Sequence, residues 1–209
     1  STQDLVVEKD LEIMANSVFK STSDRSIVIK QSLSNLGSFQ FDAGTVKLLG
    51  EYGSVSCSAG SYFYNLEINT QRFTTLYSDV HIKGSFFLNS GGFVTNNHTM
   101  YVGKNWRNNM GPGGFQKASS TVVFNGSGIS QCFGELFANL VIDNPDCQLS
   151  FAEGESTIDH YTWVNGLLSM RGGNLTINDM PGYGIYGNYL INDGTLNIHQ
   201  GASQPVDWH

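Results

Sequence analysis

A four-residue pattern of polar and apolar positions recurs from one end of the chain to the other. It consists of a polar residue, an apolar residue, a residue of any kind and a second apolar residue, as in TVKL at residues 45–48 and NLEI at residues 65–68. Alternate side chains of an extended strand point to opposite faces, so both apolar residues face the same side. Clean helical periodicity is nearly absent. The pattern therefore predicts a succession of short β-strands, each with one buried face.

The spacing of this pattern decides between the all-β architectures. Its first apolar residue falls at positions 11, 27, 46, 66, 80, 100, 122, 140, 175 and 196, and most of these steps are similar in length. Strands of a β-sandwich recur roughly every 8–12 residues, which is too short a step. A solenoid rung needs roughly 20 or more, which fits, because the chain passes around all of its sides. We therefore predict one all-β domain, residues 1–209, folded as a right-handed parallel β-helix (β-solenoid) of about ten rungs.

Two segments of the chain repeat each other in order. GTVKLLGEYGSVSCSAGSYFYNLEIN occupies residues 44–69, and STVVFNGSGISQCFGELFANLVIDN occupies residues 120–144. Their separation corresponds to four steps of the pattern. We therefore expect the second segment to be the same structural unit four rungs further along the solenoid.

The cysteine count limits the disulfides that the chain can form. It contains three cysteines, so at least one thiol is unpaired within the chain. Cys57 and Cys132 are predicted to lie about four rungs apart, roughly 19 Å, which is too far for a disulfide. A bond between Cys132 and Cys147 stays open at this point. The alternative for all three is a buried packing thiol.

Composition and charge exclude some classes of partner. Charged residues make up 14% of the chain, but 40% hydrophobic and 12% aromatic residues indicate a packed core rather than disorder. The net charge of -7 argues against a nucleic-acid partner, which requires clustered Lys and Arg. No apolar run reaches the roughly 18 residues of a membrane span. The first residues carry no signal-peptide pattern, so we expect a fragment or mature part of a longer surface protein.

Residues 89–144 carry a denser set of motifs than the rest of the chain. A glycine-rich turn precedes Asn97-His98-Thr99, and GKNW, NN, GGF, STVVFNG and FANLVIDN follow. This arrangement resembles the β-helical repeat regions of large bacterial (Bacteroidetes-like) cell-surface or secreted adhesin-type proteins. The resemblance implies an extracellular or cell-surface location and a structural, adhesive role without catalysis. It also implies that the partners are surface glycans or neighbouring protein subunits.

Aromatic residues are the main candidates for ligand contact. Exposed rings stack on the apolar face of a sugar, while nearby polar groups bond its hydroxyls. Tyr101 occupies an outward position of the pattern, and Trp106 follows closely. The alternative is that these rings stack inside the core. The predicted ligand-binding residues are Tyr101, Trp106, Arg107, Tyr161 and Trp163.

Acidic residues are the candidates for metal binding or catalysis. Asp143 and Asp146 follow a predicted strand, where their oxygens could bind Ca²⁺, or they could belong to a turn capped by its own side chains. Parallel β-helices also include polysaccharide lyases and hydrolases of the pectate-lyase type, which is the alternative function. However, Glu153 and Glu155 show no feature that would give an acid–base pair different pKa values. We therefore predict a protein that is not an enzyme and has no cofactor other than a possible Ca²⁺.

Overall fold

The computed structural model describes residues 4–22, 24–178 and 185–199. Twenty β-strands and a single 3₁₀ turn at Pro112–Gly114 make up its regular structure. The strands are β1 (Leu5–Val7), β2 (Leu11–Ile13), β3 (Val18–Ser21), β4 (Ile27–Ile29), β5 (Leu33–Asn35), β6 (Ser38–Phe41), β7 (Thr45–Leu48), β8 (Gly53–Cys57), β9 (Asn65–Leu76), β10 (Val80–Ile82), β11 (Phe86–Val94), β12 (Met100–Val102), β13 (Trp106–Asn108), β14 (Phe115–Gln116), β15 (Thr121–Phe124), β16 (Gly128–Phe133), β17 (Leu136–Ile142), β18 (Cys147–Phe151), β19 (Glu155–Asn178) and β20 (Ile185–His199).

These strands stack in parallel into three ladders, one for each side of the solenoid. Ladder 1 contains residues 5–7, 27–29, 45–48, 65–68, 86–88, 106–108, 128–133, 147–151, 167–170 and 188–191. Ladder 2 contains residues 11–13, 33–35, 53–57, 73–76, 92–94, 115–116, 136–137, 157–158, 174–178 and 195–199. Ladder 3 contains residues 18–21, 38–41, 62–63, 80–82, 100–102, 121–124, 139–142, 161–164 and 185–186.

The predicted parallel β-solenoid is confirmed, with about nine turns. Nine coils carry all three ladders, and residues 188–199 add ladders 1 and 2 of a tenth. One assumption of the sequence analysis was wrong, because the recurring pattern does not mark a single ladder. Val46 and Leu66 lie on ladder 1, whereas Val80, Met100 and Val122 lie on ladder 3. The unusually short step from Leu66 to Val80 is therefore a move between two sides of one coil.

The two repeated segments are related differently from the prediction. Thr45–Leu48 belongs to ladder 1 of the third coil, whereas Thr121–Phe124 belongs to ladder 3 of the sixth. The segments therefore lie three coils apart on different sides, not four rungs apart on one side. What the two segments share is a hydrogen bond from an Asn side chain to the backbone of the preceding coil. Asn65 donates its amide to the carbonyl of Gly44 one coil back, and Asn139 does the same to Ser120.

Asn and Asp side chains tie the corners of successive coils together. Asn65 Oδ1 accepts the backbone N–H of Ser85 at 2.8 Å, and Asp79 Oδ1 accepts that of Thr99 at 2.8 Å. Each bond fills an otherwise unpaired donor where the chain turns from one ladder to the next. The same bond forms from Ser26 to Asp4, Ser32 to Asp10 and Ser119 to Asn97. Within strand β16, the backbone N–H of Gln131 bonds Asn105 in the same way.

The core is a column of apolar side chains inside the three ladders. Leu66, Phe86 and Trp106 stack in register on ladder 1, and each is fully buried. On ladder 2, the rings of Phe93, Phe115 and Phe137 follow one another with centroids 6.4 Å apart. Cys57, Cys132 and Cys147 are all free thiols. The structure therefore has no disulfide between Cys132 and Cys147, the pair that the sequence left undecided. Among the described residues, no helix is long and apolar enough to cross a membrane.

Candidate functional site

The outer face of ladder 3 carries a row of aromatic and apolar side chains. Parallel register places Tyr101 between His81 on one coil and Val123 on the next. Two coils beyond Val123, Trp163 continues the row opposite Val141. At the other end of the row, Tyr62 lies one coil before His81, because the next residue, Phe63, pairs with Ile82. We call this row, from Tyr62 to Trp163, the ladder-3 face.

His81 and Tyr101 form a flat stacked pair at the centre of the ladder-3 face. Their ring centroids lie 4.2 Å apart, and the ring planes differ by 4°. The two residues are register partners with an outward position on adjacent strands, so the coil repeat itself produces the stack. His81 is exposed and Tyr101 is partly exposed. Each ring covers one face of the other, so the pair presents its ring edges and its two outer faces to the surroundings.

The ammonium group of Lys83, ion-paired with Asp42, lies beside this stacked pair. The Lys83 ammonium lies 3.4 Å from the centroid of the Tyr62 ring and 3.2 Å from Asp42 Oδ1. The Tyr62 hydroxyl donates to the same Asp42 oxygen at 2.7 Å. This hydrogen bond, with that from Lys83, lowers the pKa of Asp42. Desolvation lowers the pKa of Lys83, but the hydrogen bonds with Tyr62 and Asp42 outweigh it and raise the pKa overall. Both groups are therefore charged at neutral pH.

These groups surround a shallow cavity of about 240 Å³. Tyr62 and Lys83 bound it on one side, the His81–Tyr101 pair forms a second wall, and Asn125 closes it. The cavity thus combines an aromatic surface with a cation, two phenol groups and an amide. Such a set can bind a polar ring-shaped ligand by stacking and hydrogen bonding.

Two of the predicted ligand-binding residues lie further along the ladder-3 face. Trp163 is 48% exposed, and Tyr161, two residues earlier, is partly exposed on the same strand. Trp163 lies three coils from Tyr101, about 14 Å along the solenoid axis. The structure therefore aligns Tyr101, Tyr161 and Trp163 on one side but does not gather them into one pocket.

Trp106, one of the predicted ligand-binding residues, is not accessible at the surface. Its side chain is fully buried on ladder 1, with its ring 4.5 Å from Phe86 and 4.8 Å from Phe115 between centroids. Strand β13 points Trp106 and Asn108 inward and Arg107 outward, which makes the ring part of the core. Trp106 is therefore excluded from surface ligand contact, as the core-stacking alternative allowed.

Arg107 lies on the outer face of ladder 1, away from the ladder-3 face. Its Nε donates to Asn109 Oδ1 at 2.9 Å, and its guanidinium carbon lies 5.8 Å from the Phe133 ring centroid. Asn109 in turn donates to Asn89, and Asn89 donates to Glu67. Arg107 is thus one member of a polar chain along ladder 1, separate from Tyr101.

The turn with Asp143 and Asp146 follows ladder 3 of the seventh coil. Asn144 Oδ1 accepts the backbone N–H of Asp146 at 2.9 Å, which is the capped turn given as the alternative. Over the part of the chain that the structure describes, no three His, Cys, Asp or Glu side chains converge as a metal site would require. Calcium binding by Asp143 and Asp146 stays a prediction.

Trp106 takes part in a buried polar cluster that the sequence analysis missed. Glu135 Oε2 accepts the indole N–H of Trp106 at 2.8 Å and the amide of Asn108 at 2.9 Å. Its Oε1 accepts the backbone N–H of Leu136 at 2.7 Å. Desolvation nevertheless raises the pKa of Glu135 to about 8, while these three bonds act in the opposite direction. The cluster is sealed in the core, so its role is structural.

Of the aromatic, charged and amide side chains that line the cavity, only Tyr101 was among the predicted site residues; Tyr62, His81, Lys83 and Asn125 were not. The sequence did indicate that His81 lies next to Tyr101, because the two residues are separated along the chain by the length of one coil. Lys83 and Asn125 lie at corners, where the polar–apolar pattern carries no information about neighbours. No protein-family model, curated protein or solved structure matches this chain.

Proposed function

We propose that this chain is a non-enzymatic structural and adhesive module of the extracellular space or cell surface, which binds glycans through the ladder-3 face. The observation that carries the proposal is the stacked His81–Tyr101 pair beside the held Lys83 ammonium. An outer face of this pair can accept the C–H face of a sugar ring. Lys83, Tyr62 and Asn125 lie where they could bond hydroxyl or acidic groups of that sugar.

The geometry of Lys83 favours a glycan that carries acidic groups. An ammonium has three donors. One points to Asp42, and the Tyr62 ring covers another side of the group. Lys20 also approaches Asp42, at 4.0 Å, so two cations share one carboxylate next to the cavity. This local positive excess within a chain of net charge -7 would attract an acidic sugar.

Neighbouring subunits are the second class of partner in this proposal. The strands of the first coil, β1, β2 and β3, pair with β4, β5 and β6 on one side. In the described residues, no strand pairs with their other edge. Leu5 is half exposed, whereas its register partner Ile27 is buried. An open parallel edge with exposed apolar side chains is a template for another β-coil.

The test of the glycan proposal is binding to an array of acidic and neutral glycans. We expect a set of glycans whose signal falls at least tenfold in Tyr101→Ala and is unchanged in Tyr77→Ala. Tyr77 is a matched control because it is an exposed tyrosine outside the ladder-3 face. A Tyr101→Ala signal equal to that of the native protein for every glycan would refute the site. Release of reducing or unsaturated ends, with or without Ca²⁺, would instead support the lyase or hydrolase alternative.

A further inference from the structure

A second groove lies on the outer side of ladder 2, and neither the predicted residues nor the ladder-3 face includes it. It has a volume of about 450 Å³ and spans the fourth to sixth coils. Its walls are the side chains of Phe73 and Met110, which are 42% and 46% exposed. Gln71 and Arg72 form its polar rim, and glycines form its floor.

The parallel register places a second aromatic residue, Tyr52, beside this groove. Gly53 pairs with Thr74, so the preceding residues Tyr52 and Phe73 lie on adjacent coils, with their backbones about 4.8 Å apart. Tyr52 itself lines the adjoining pocket with Lys30 and Glu51. Phe73 pairs in turn with Gly92 on the next coil. A Cβ at Gly92 would lie 2.5 Å from Phe73 Cδ1, so the ring covers the glycine directly. The absence of a side chain at position 92 therefore allows the Phe73 ring to lie across the coil.

The opposite wall is fixed rather than loose. Asn108 donates its amide to the carbonyl of Gly111 at 2.7 Å and accepts the backbone N–H of Met110 at 2.9 Å. The same amide nitrogen donates to the buried carboxyl of Glu135. The loop that carries Met110 is therefore anchored to the core cluster of Trp106 and Glu135, and the groove is formed before any ligand binds.

The charges around the groove are balanced. Arg72 Nε lies 3.1 Å from Glu51 Oε1, and its guanidinium carbon lies 5.5 Å from the Tyr52 ring centroid. Lys30, next to Tyr52, pairs with Glu8. This differs from the ladder-3 face, where two lysines share one carboxylate. The groove thus offers aromatic surface and hydrogen-bond donors without an excess of either charge.

We propose that this groove is a second carbohydrate-binding site, which takes a neutral sugar chain lying along the solenoid axis. One ring stacks on Phe73 inside the groove, and the next extends past its end to the exposed Tyr52, because apolar C–H faces match exposed aromatic rings. Gln71 and Arg72 bond the hydroxyls at the rim. With the ladder-3 face, the module would hold two different glycans on two sides.

The test is an NMR titration of the whole chain labelled with ¹³C in the methionine methyl groups. Cellohexaose and mannohexaose are the neutral probes, and hexagalacturonate is the acidic one. The Met110 methyl is expected to shift saturably with at least one neutral probe, while that of Met14, exposed on the first coil, stays in place. Met110→Leu assigns the signal.

Variants assign the response to the groove. Phe73→Ala is expected to weaken the response at least tenfold, whereas Phe73→Tyr keeps the ring and retains it. Tyr77→Ala, an exposed tyrosine of the same side outside the groove, is the matched control. Tyr101→Ala separates the two sites, because the Met110 response should persist without the ladder-3 ring.

Three outcomes would overturn the proposal. The first is no Met110 shift with either neutral probe, and the second is a shift that survives Phe73→Ala. The third is a Met110 shift that follows protein concentration without sugar, which would make the groove a contact between copies of the chain. None of these outcomes bears on the array result for Tyr101→Ala.

Discussion

Two tryptophans of this chain have opposite environments although both belong to strands. Trp106 is fully buried, while Trp163 is 48% exposed. The sequence contained the signal that separates them, because Leu66, Phe86 and Trp106 recur at intervals of one coil length. Trp163 follows the outward Tyr101, Val123 and Val141 instead. Register, rather than residue type, decides which aromatic is available to a ligand.

The first prediction compares alanine substitutions at these two positions. Trp106→Ala removes a core ring and leaves Glu135 without one donor, so we expect a loss of about 4 kcal/mol in the free energy of unfolding. Trp163→Ala removes an exposed ring and should change this free energy by about 0.5 kcal/mol or less. Urea unfolding followed by circular dichroism measures both. Equal losses would contradict the buried position of Trp106.

The second prediction concerns the pH dependence of stability at Glu135. Its pKa is about 8 in the folded protein and 4.5 in an ordinary environment. The folded state therefore holds a proton that the unfolded state releases, so the contribution to stability is complete below about pH 4.5. It is lost as the pH rises toward 8.

Glu135→Gln removes this titration while keeping a side chain of the same size. We expect the stability of the variant relative to the native protein to increase between pH 5 and pH 8, by an amount on the order of a few kcal/mol. Urea unfolding at several pH values gives both curves, and other titrating groups cancel in the difference. Parallel curves over this range would show that Glu135 keeps its ordinary pKa.

At the scale of strands and corners, the sequence predicted the coil length but not the sides. Inward positions such as Val46, Leu66 and Met100 were placed correctly, because period-two alternation is a local property. Their assignment to one ladder was wrong, because all three sides present the same alternation. The cavity at Lys83 and Asn125 depends on contacts between coils, which sequence spacing at corners does not encode.

Glycine corners give the third prediction. A Cβ at Gly126 would lie 1.8 Å from the carbonyl oxygen of Gly103, one coil back, so the backbone must shift to admit it. At Gly113, a Cβ meets no atom within 4 Å. Gly126→Ala should therefore lower the free energy of unfolding by about 2 kcal/mol or more, and Gly113→Ala by about 0.5 kcal/mol or less. Thermal unfolding of both variants tests this, and an equal effect would contradict the close approach of the two corners.

At the scale of the whole molecule, the open edge of the first coil gives the fourth prediction. If neighbouring coils associate there, the sedimentation coefficient should rise with protein concentration. Leu5→Lys places a charge on the open edge and should abolish the rise. Leu36→Lys, at an exposed leucine of the second coil, is the matched control and should leave it unchanged. A sedimentation coefficient independent of concentration in the native protein would exclude association through this edge.

The repetition of coils is the structural basis for proposing a binding surface. Each coil repeats the same outward positions, so rings such as His81 and Tyr101 align along the axis without any special loop. The fold is therefore well suited to presenting a rigid extended surface.

The most direct test of the central claim is a ¹⁵N NMR titration of the native chain with the acidic glycan that gives the strongest array signal. We expect saturable shifts at the amides of His81, Lys83, Tyr101 and Asn125, with the sugar spectrum unchanged over days. Shifts confined to other coils, or the appearance of cleaved sugar, would contradict a non-enzymatic glycan site on the ladder-3 face.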